Sequence, residues 1–147
     1  MSGERRSRRL TVVIVSAVAA ALVHLGFFSW DRDVDVNAAG STSGPYDTWQ
    51  IACSTVALAL IAYYGGRAQH AWSAAGAASV AFTTVWSVGA ATATSEDANL
   101  WPIGAALLLP SVFVPMLLVA LLTRRLTRSR SAPAVSTPDG ERTAARR

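Results

Sequence analysis

Few side chains in this sequence could do chemistry, and the first of them is His24. It is the one imidazole inside an uncharged run, about 9 Å along a helix from Trp30. A protonatable group held at that depth is a candidate for proton or ligand handling. Ser54 lies five residues beyond Trp49, and Ser87 a similar distance before the end of its own run. With Gln50 and Thr84 they predict one polar layer: His24, Gln50, Ser54, Thr84 and Ser87. Such a layer fits two uses. It can be an interhelical hydrogen-bond network contributing about 0.6–2 kcal/mol per contact. It can also be a protonatable site on a transport path or in a ligand pocket. With no carboxylate partner in reach of His24 in sequence, the structural use is favoured.

Other chemistries are excluded residue by residue. His24 has no evident nucleophile or acid partner within its run, so no catalytic constellation is predicted. The stretch Asp31-Arg32-Asp33-Val34-Asp35 spaces carboxylates as a calcium loop does, but Val36 stands where the sharp turn needs Gly and Thr42 where the bidentate Glu belongs. His24 and His70 fall near opposite faces of the predicted bundle and cannot share a haem. Cys53 is the single cysteine, which excludes an internal disulfide and paired-thiol redox chemistry, and it reads as a small packing residue. No cofactor or metal site is expected.

The elements that must position these residues are four blocks without any Asp, Glu or Arg, at 10–30, 49–66, 72–92 and 100–122. Each approaches the roughly 20 residues that a helix needs to cross a bilayer. The chain is 52% hydrophobic with mean hydropathy +0.34, and its charge is confined to the gaps between blocks. A water-soluble helix would instead carry a charged face. Ala17, Ala20 and Ala21 share a helical face with His24. Gln50, Ser54 and Ala57 begin a similar seam that Ile61 closes, and Ser73, Gly76, Val80, Thr84 and Ser87 recur at helical spacing. Small residues of this kind let membrane helices approach closely. Pro110 and Pro115 interrupt the donor ladder of the fourth block and predict a kink, either a hinge or a static bend.

Charge sets the orientation. All 13 basic residues are Arg, and 12 of them lie before the first block, between the second and third, or after the fourth; Arg32 alone lies across. The opposite side holds Asp31, Asp33, Asp35, Asp47, Glu96 and Asp97. Arg retained at the cytoplasmic face predicts both termini inside the cell. Trp30, Tyr46, Trp49 and Trp101 at one interface, with Tyr63, Tyr64 and Trp72 at the other, match an aromatic belt. This placement explains the net charge of +4 without nucleic acid. Arg124, Arg125, Arg128 and Arg130 form a stop-transfer cluster and candidate contacts for anionic lipid headgroups. The rival for the first block is a signal peptide, with Ser7-Arg8-Arg9-Leu10 and a small-residue site at Val36-Asn37-Ala38. The apolar run exceeds a signal core of about 7–15 residues, so a retained span is expected.

The predicted fold is an all-α membrane protein with four transmembrane helices in an antiparallel bundle. Residues 1–9 are a basic cytoplasmic tail, 31–48 an outer loop, and 124–147 a disordered basic cytoplasmic tail. The short gap after Arg67 makes the second and third helices antiparallel neighbours.

Three segments, Gly44-Pro45-Tyr46-Asp47-Thr48-Trp49-Gln50, Trp86-Ser87 and Leu100-Trp101-Pro102-Ile103-Gly104, give the chain a general resemblance to small, uncharacterised four-helix integral membrane proteins of high-GC Gram-positive bacteria. The resemblance covers residues 10–125 and implies architecture, with no activity to carry over. Small multidrug transporters share the span count but need a membrane-embedded Glu that is absent here. Four-helix disulfide-forming enzymes need several cysteines. The expected function is therefore a noncatalytic accessory or helix-association protein of the plasma membrane. Its expected partners are the lipid bilayer and a second copy or another membrane protein. The alternative is a small oligomeric transporter or channel with His24 in its polar layer.

Overall fold

The computed structural model describes residues 2–29, 46–92 and 100–130. Four helices account for almost all of them: α1 Ser2–Phe28, α2 Thr48–Arg67, α3 Ala71–Ala91 and α4 Trp101–Arg130. Their inner boundaries fall within one or two residues of the uncharged blocks. Two outer boundaries differ from expectation. The basic stretch before Leu10 is helical from Ser2, because Arg is a good helix former and Glu4 pairs with Arg8 one turn on, at 3.1 Å. At the other end 124–130 belongs to α4 rather than to a disordered tail, since no helix breaker intervenes before Pro133. The candidate calcium stretch, the possible cleavage site, Trp30, Glu96, Asp97 and residues 131–147 lie outside the described residues.

The four helices pack together with α1 against α3, α3 against α4, α4 against α2 and α2 against α1. The second and third helices, expected as neighbours, also touch, close to the turn that joins them, where Gly65 lies against Ala74. Two aromatic contacts fix the far end: Phe27 with Trp49 at 6.3 Å and Phe28 with Tyr46 at 4.8 Å between ring centroids.

The distribution of side-chain size is the reverse of a water-soluble domain. Buried positions are mostly small: Ala20, Ala62, Ala71, Ala74, Ala75, Ala78 and Ala120, with Ser16, Ser54 and Ser79. Phe28, Phe82 and Met116 fill the space between them. The exposed positions carry the large aliphatics, among them Ile14, Leu22, Leu60, Leu107, Leu118 and Leu122, with Leu107 66% exposed. Where lipid is the solvent, apolar bulk gains nothing from hiding, and close backbone approach through small residues supplies the packing instead. Three helices, Gly3–Phe28, Ala71–Ala91 and Trp101–Ser129, are long and apolar enough to cross a membrane. Gln50 and Arg67 near its two ends dilute α2.

Glycines mark the closest approaches. A Cβ on Gly66 would run into the carbonyl oxygen of Ala120 and come within 2.9 Å of Thr123 Cβ. At Gly104 it would meet the Trp86 ring, 2.5 Å from its nearest carbon. Trp86, the one indole well inside a span, therefore lies over a glycine of α4. That helix runs uninterrupted through Pro110 and Pro115, both on its exposed side.

The turn between α2 and α3 closes by a left-handed residue. His70 N–H donates to Gly65 C=O at 3.0 Å and Gln69 N–H to Gly66 C=O at 3.1 Å, the paired bonds of a Schellman motif. Gln69 has φ 63°, the position where glycine is usual. His70 C=O then accepts from Ala74 N–H at 2.9 Å and starts α3.

Candidate functional site

His24 is buried in the bundle. Its ring stands perpendicular to Phe82 at 5.0 Å and tilted to Phe28 at 5.5 Å. This is an aromatic cluster, formed because Val12, Ser16, Ala20, His24 and Phe28 recur every four residues and all face inward. The stripe differs by one position from the expected face: Ser16 is its buried hydroxyl, and Ala17 and Ala21 stand at its edges.

Gln50 is 1% exposed and is used locally. Its Oε1 accepts from Asp47 N–H at 2.8 Å, closing the first turn of α2 as the N3 residue of a capping box does. Ser54 is buried too, its hydroxyl donating to Ile51 C=O at 2.9 Å. The seam they begin does not stop at Ile61. It continues through Ala62, Gly65 and Gly66, all buried.

Thr84 and Ser87 do not join that interior. Thr84 is exposed and Ser87 half-buried, and each hydroxyl donates to the carbonyl four residues back at 2.7 Å. The inward face of α3 is Ala71, Ala74, Ala75, Ala78, Ser79, Phe82 and Thr83. Two residues past Phe82 is about 200° round a helix, so Thr84 points away. The predicted layer is thereby divided: His24, Gln50 and Ser54 inside, Thr84 and Ser87 on a groove of about 310 Å³ that Val80, Val88, Trp101 and Leu109 also line. Cys53, expected to pack, is exposed on α2. Hydroxyls that the pattern did not single out are buried instead, those of Ser16, Ser79, Thr83 and Thr123. Ser79 donates weakly to Met116 sulfur at 3.9 Å, and the Ser16 and Thr83 hydroxyls have no hydrogen-bond partner among the described residues.

The other end of the bundle gathers charge. Arg9 Nε donates to Ser73 Oγ at 3.2 Å, joining α1 to α3. Arg67 donates to the Tyr63 hydroxyl at 2.9 Å, beside a groove of about 260 Å³ formed with Thr123, Leu126 and Thr127. Two of the four predicted headgroup residues share one acceptor: Arg124 Nε and Arg128 Nε reach Gln69 Oε1 at 3.2 and 3.1 Å. The two guanidinium nitrogens lie within roughly 6 Å of each other, where unit charges repel by about 0.7–3 kcal/mol before salt screening. Arg125 is exposed and is not among the residues that bond Gln69, and Arg130 is the last residue of α4. Gln69 carried no sequence signal beyond its place in a short turn.

The geometry serves capping and packing. It offers one aromatic-caged imidazole, back-bonded hydroxyls and a basic end. No protein-family model, curated protein or solved structure matches the chain.

Proposed function

We propose that the chain is a four-span plasma-membrane protein with both termini cytoplasmic, acting as a noncatalytic accessory or helix-association subunit. The observation that carries this reading is the inverted packing, small residues inside and large aliphatics over most of the exterior. The helix α2 joins the three more apolar ones because its 20 residues reach about 30 Å, and it turns Ile51, Val56 and Leu60 outward into the same belt. Alternating directions are supported by contacts at both ends. Arg9 meets Ser73 while His24 meets Phe82, so α1 and α3 run the same way; Gly66, near the C-terminus of α2, lies beside Ala120 and Thr123 in the C-terminal half of α4, and Tyr64 and His70 share a groove with Arg8, which supports the opposite sense for both α2 and α4. Arg9, Arg67, Arg124 and Arg128 on one end supply the inside signal.

The surface left for a partner is the outward face of α3. Gly76 has nothing within 4 Å of where its Cβ would stand, and with Val80, Thr84 and Ser87 it forms a small, weakly polar stripe beside the 310 Å³ groove. Its hydroxyls are bonded to their own backbone, so they tolerate lipid and still offer lone pairs to a second helix. Two measurements test this. Single cysteines in a Cys53→Ala background, at Ser41, Gln69, Ser95 and Ser136, should label from outside the cell at Ser41 and Ser95 only. A cysteine at Thr84 should cross-link in membranes, to a second copy or to another membrane protein. That product should vanish with Gly76→Leu while the protein still folds; cross-linking indifferent to Gly76→Leu would remove α3 from the interface. A transport path has less support, since His24 sits in an aromatic cage and lines none of the grooves described above.

A further inference from the structure

We propose that the end of α4 carries a binding site for a phosphate group, made by Arg124 and Arg128 and positioned by Gln69; its assignment to the cytoplasmic side rests on the orientation proposed above. Both arginines spend only Nε on the Gln69 oxygen, which leaves the Nη donors of two adjacent guanidinium groups without a partner among the described residues. No described carboxylate neutralises them: Glu4 is engaged by Arg8, and Asp47 lies at the opposite end, where it accepts from Trp49 Nε1. Two convergent cations with spare planar donors call for an anion with several acceptor oxygens, and a phosphate group meets that geometry.

A second observation concerns Gln69 itself. It occupies a left-handed backbone position that glycine fills without steric cost. If the turn alone mattered, glycine would serve it better; what glycine lacks is the amide that collects both arginines. The third is placement. Because α4 stays helical beyond Leu122, Arg124 and Arg128 stand one turn apart on one face, just past the aliphatic span, where the phosphates of a bilayer lie. A lipid headgroup and a soluble phosphate offer the same chemistry.

The full chain would be reconstituted in nanodiscs of phosphatidylcholine alone, of phosphatidylcholine with phosphatidylglycerol, and of phosphatidylcholine with inorganic phosphate against a chloride control of matched ionic strength. The thermal midpoint is read by tryptophan fluorescence. At least one anionic arm should raise the midpoint: the lipid arm identifies a headgroup site, and the inorganic arm a soluble one. Gln69→Gly should weaken that apparent affinity about tenfold. It should do so while leaving the midpoint without anion unchanged or higher, because glycine relieves the backbone. Arg128→Gln should act likewise on the anion response, and Arg125→Gln should not. The proposal is overturned if neither anion stabilises the wild type. It is overturned equally if Gln69→Gly keeps the full response, or if Arg125→Gln loses as much as Arg128→Gln, which would mean diffuse charge. External labelling of a cysteine at Gln69 would sink the orientation and leave the anion result standing.

Discussion

Replacing Gly66 by alanine should destabilise the bundle although alanine is the better helix former. Its Cβ would overlap the Ala120 carbonyl oxygen and lie 2.9 Å from Thr123 Cβ and 3.1 Å from Ala120 carbonyl carbon. Ordinary carbon contacts sit near 3.5–4.0 Å, so α2 and α4 must part by roughly 0.5–1 Å, which forfeits a quarter to a half of each contact's attraction along their seam. Overpacking of this kind costs about 1–3 kcal/mol, and the change from Gly to Ala in a helix returns at most about 1. With the full return the net loss reaches about 2 kcal/mol, which lowers the folded-to-unfolded ratio up to about 30-fold. Unfolding in mixed micelles, titrated with a denaturing detergent and followed by tryptophan fluorescence, measures it. Two other glycines serve as controls. Gly65→Ala meets a side chain, Ala74 Cβ, so Ala74→Gly should restore stability; Gly66→Ala meets a backbone carbonyl, so Ala120→Gly should not. Gly26→Ala, with open space around it, should be neutral or stabilising. A Gly66→Ala protein as stable as the wild type would refute the claim that α2 and α4 touch there.

Gly104→Ala should be destabilising and rescued by Trp86→Leu, because the ring of Trp86 is what the new methyl strikes; rescue is read in the same titration. His24→Ala should cost about 2 kcal/mol or more through the gap left between Phe28 and Phe82, read in the same titration; an alanine variant as stable as the wild type would refute the packing of the imidazole between these rings. Gln50→Ala should loosen the start of α2 by about 0.5–2 kcal/mol, seen as faster amide exchange over the first turn of α2 with its distal end unchanged.

How far the sequence leads depends on which physical signal each residue carries. Helix limits are legible because charge and turn residues cannot enter the apolar blocks, so α2 and α3 begin and end where the text of the chain changes. Faces are harder. In water, polarity marks the outside of a helix; in lipid, both sides are apolar and only size differs. On α1 the sequence pattern lies close to the buried face because His24 and Ala20 anchor it. On α3 the pattern runs one position off, through Thr84 instead of Thr83, because that helix is mostly Ala, Ser, Gly and Thr and offers no contrast. Gln50 looked like part of a membrane-buried network and is a helix cap, since Asp47 three residues before it completes the pattern. Gln69 was invisible because its significance comes from a backbone angle and from two arginines more than 50 residues away.

The pairing of α1 with α3 bears on the order of biosynthesis. The first helix emerges from the ribosome carrying Ser16 and His24 on its inward stripe, and its broadest neighbour is the third to be made. In the membrane topology proposed above, that stripe faces lipid, the insertion machinery, or α2 alone until α3 arrives. A nascent chain halted after α2 should therefore be retained by the insertion apparatus longer than one halted after α3, and shielding Ser16 and His24 becomes a timing problem that a sequential, neighbour-by-neighbour bundle would not have.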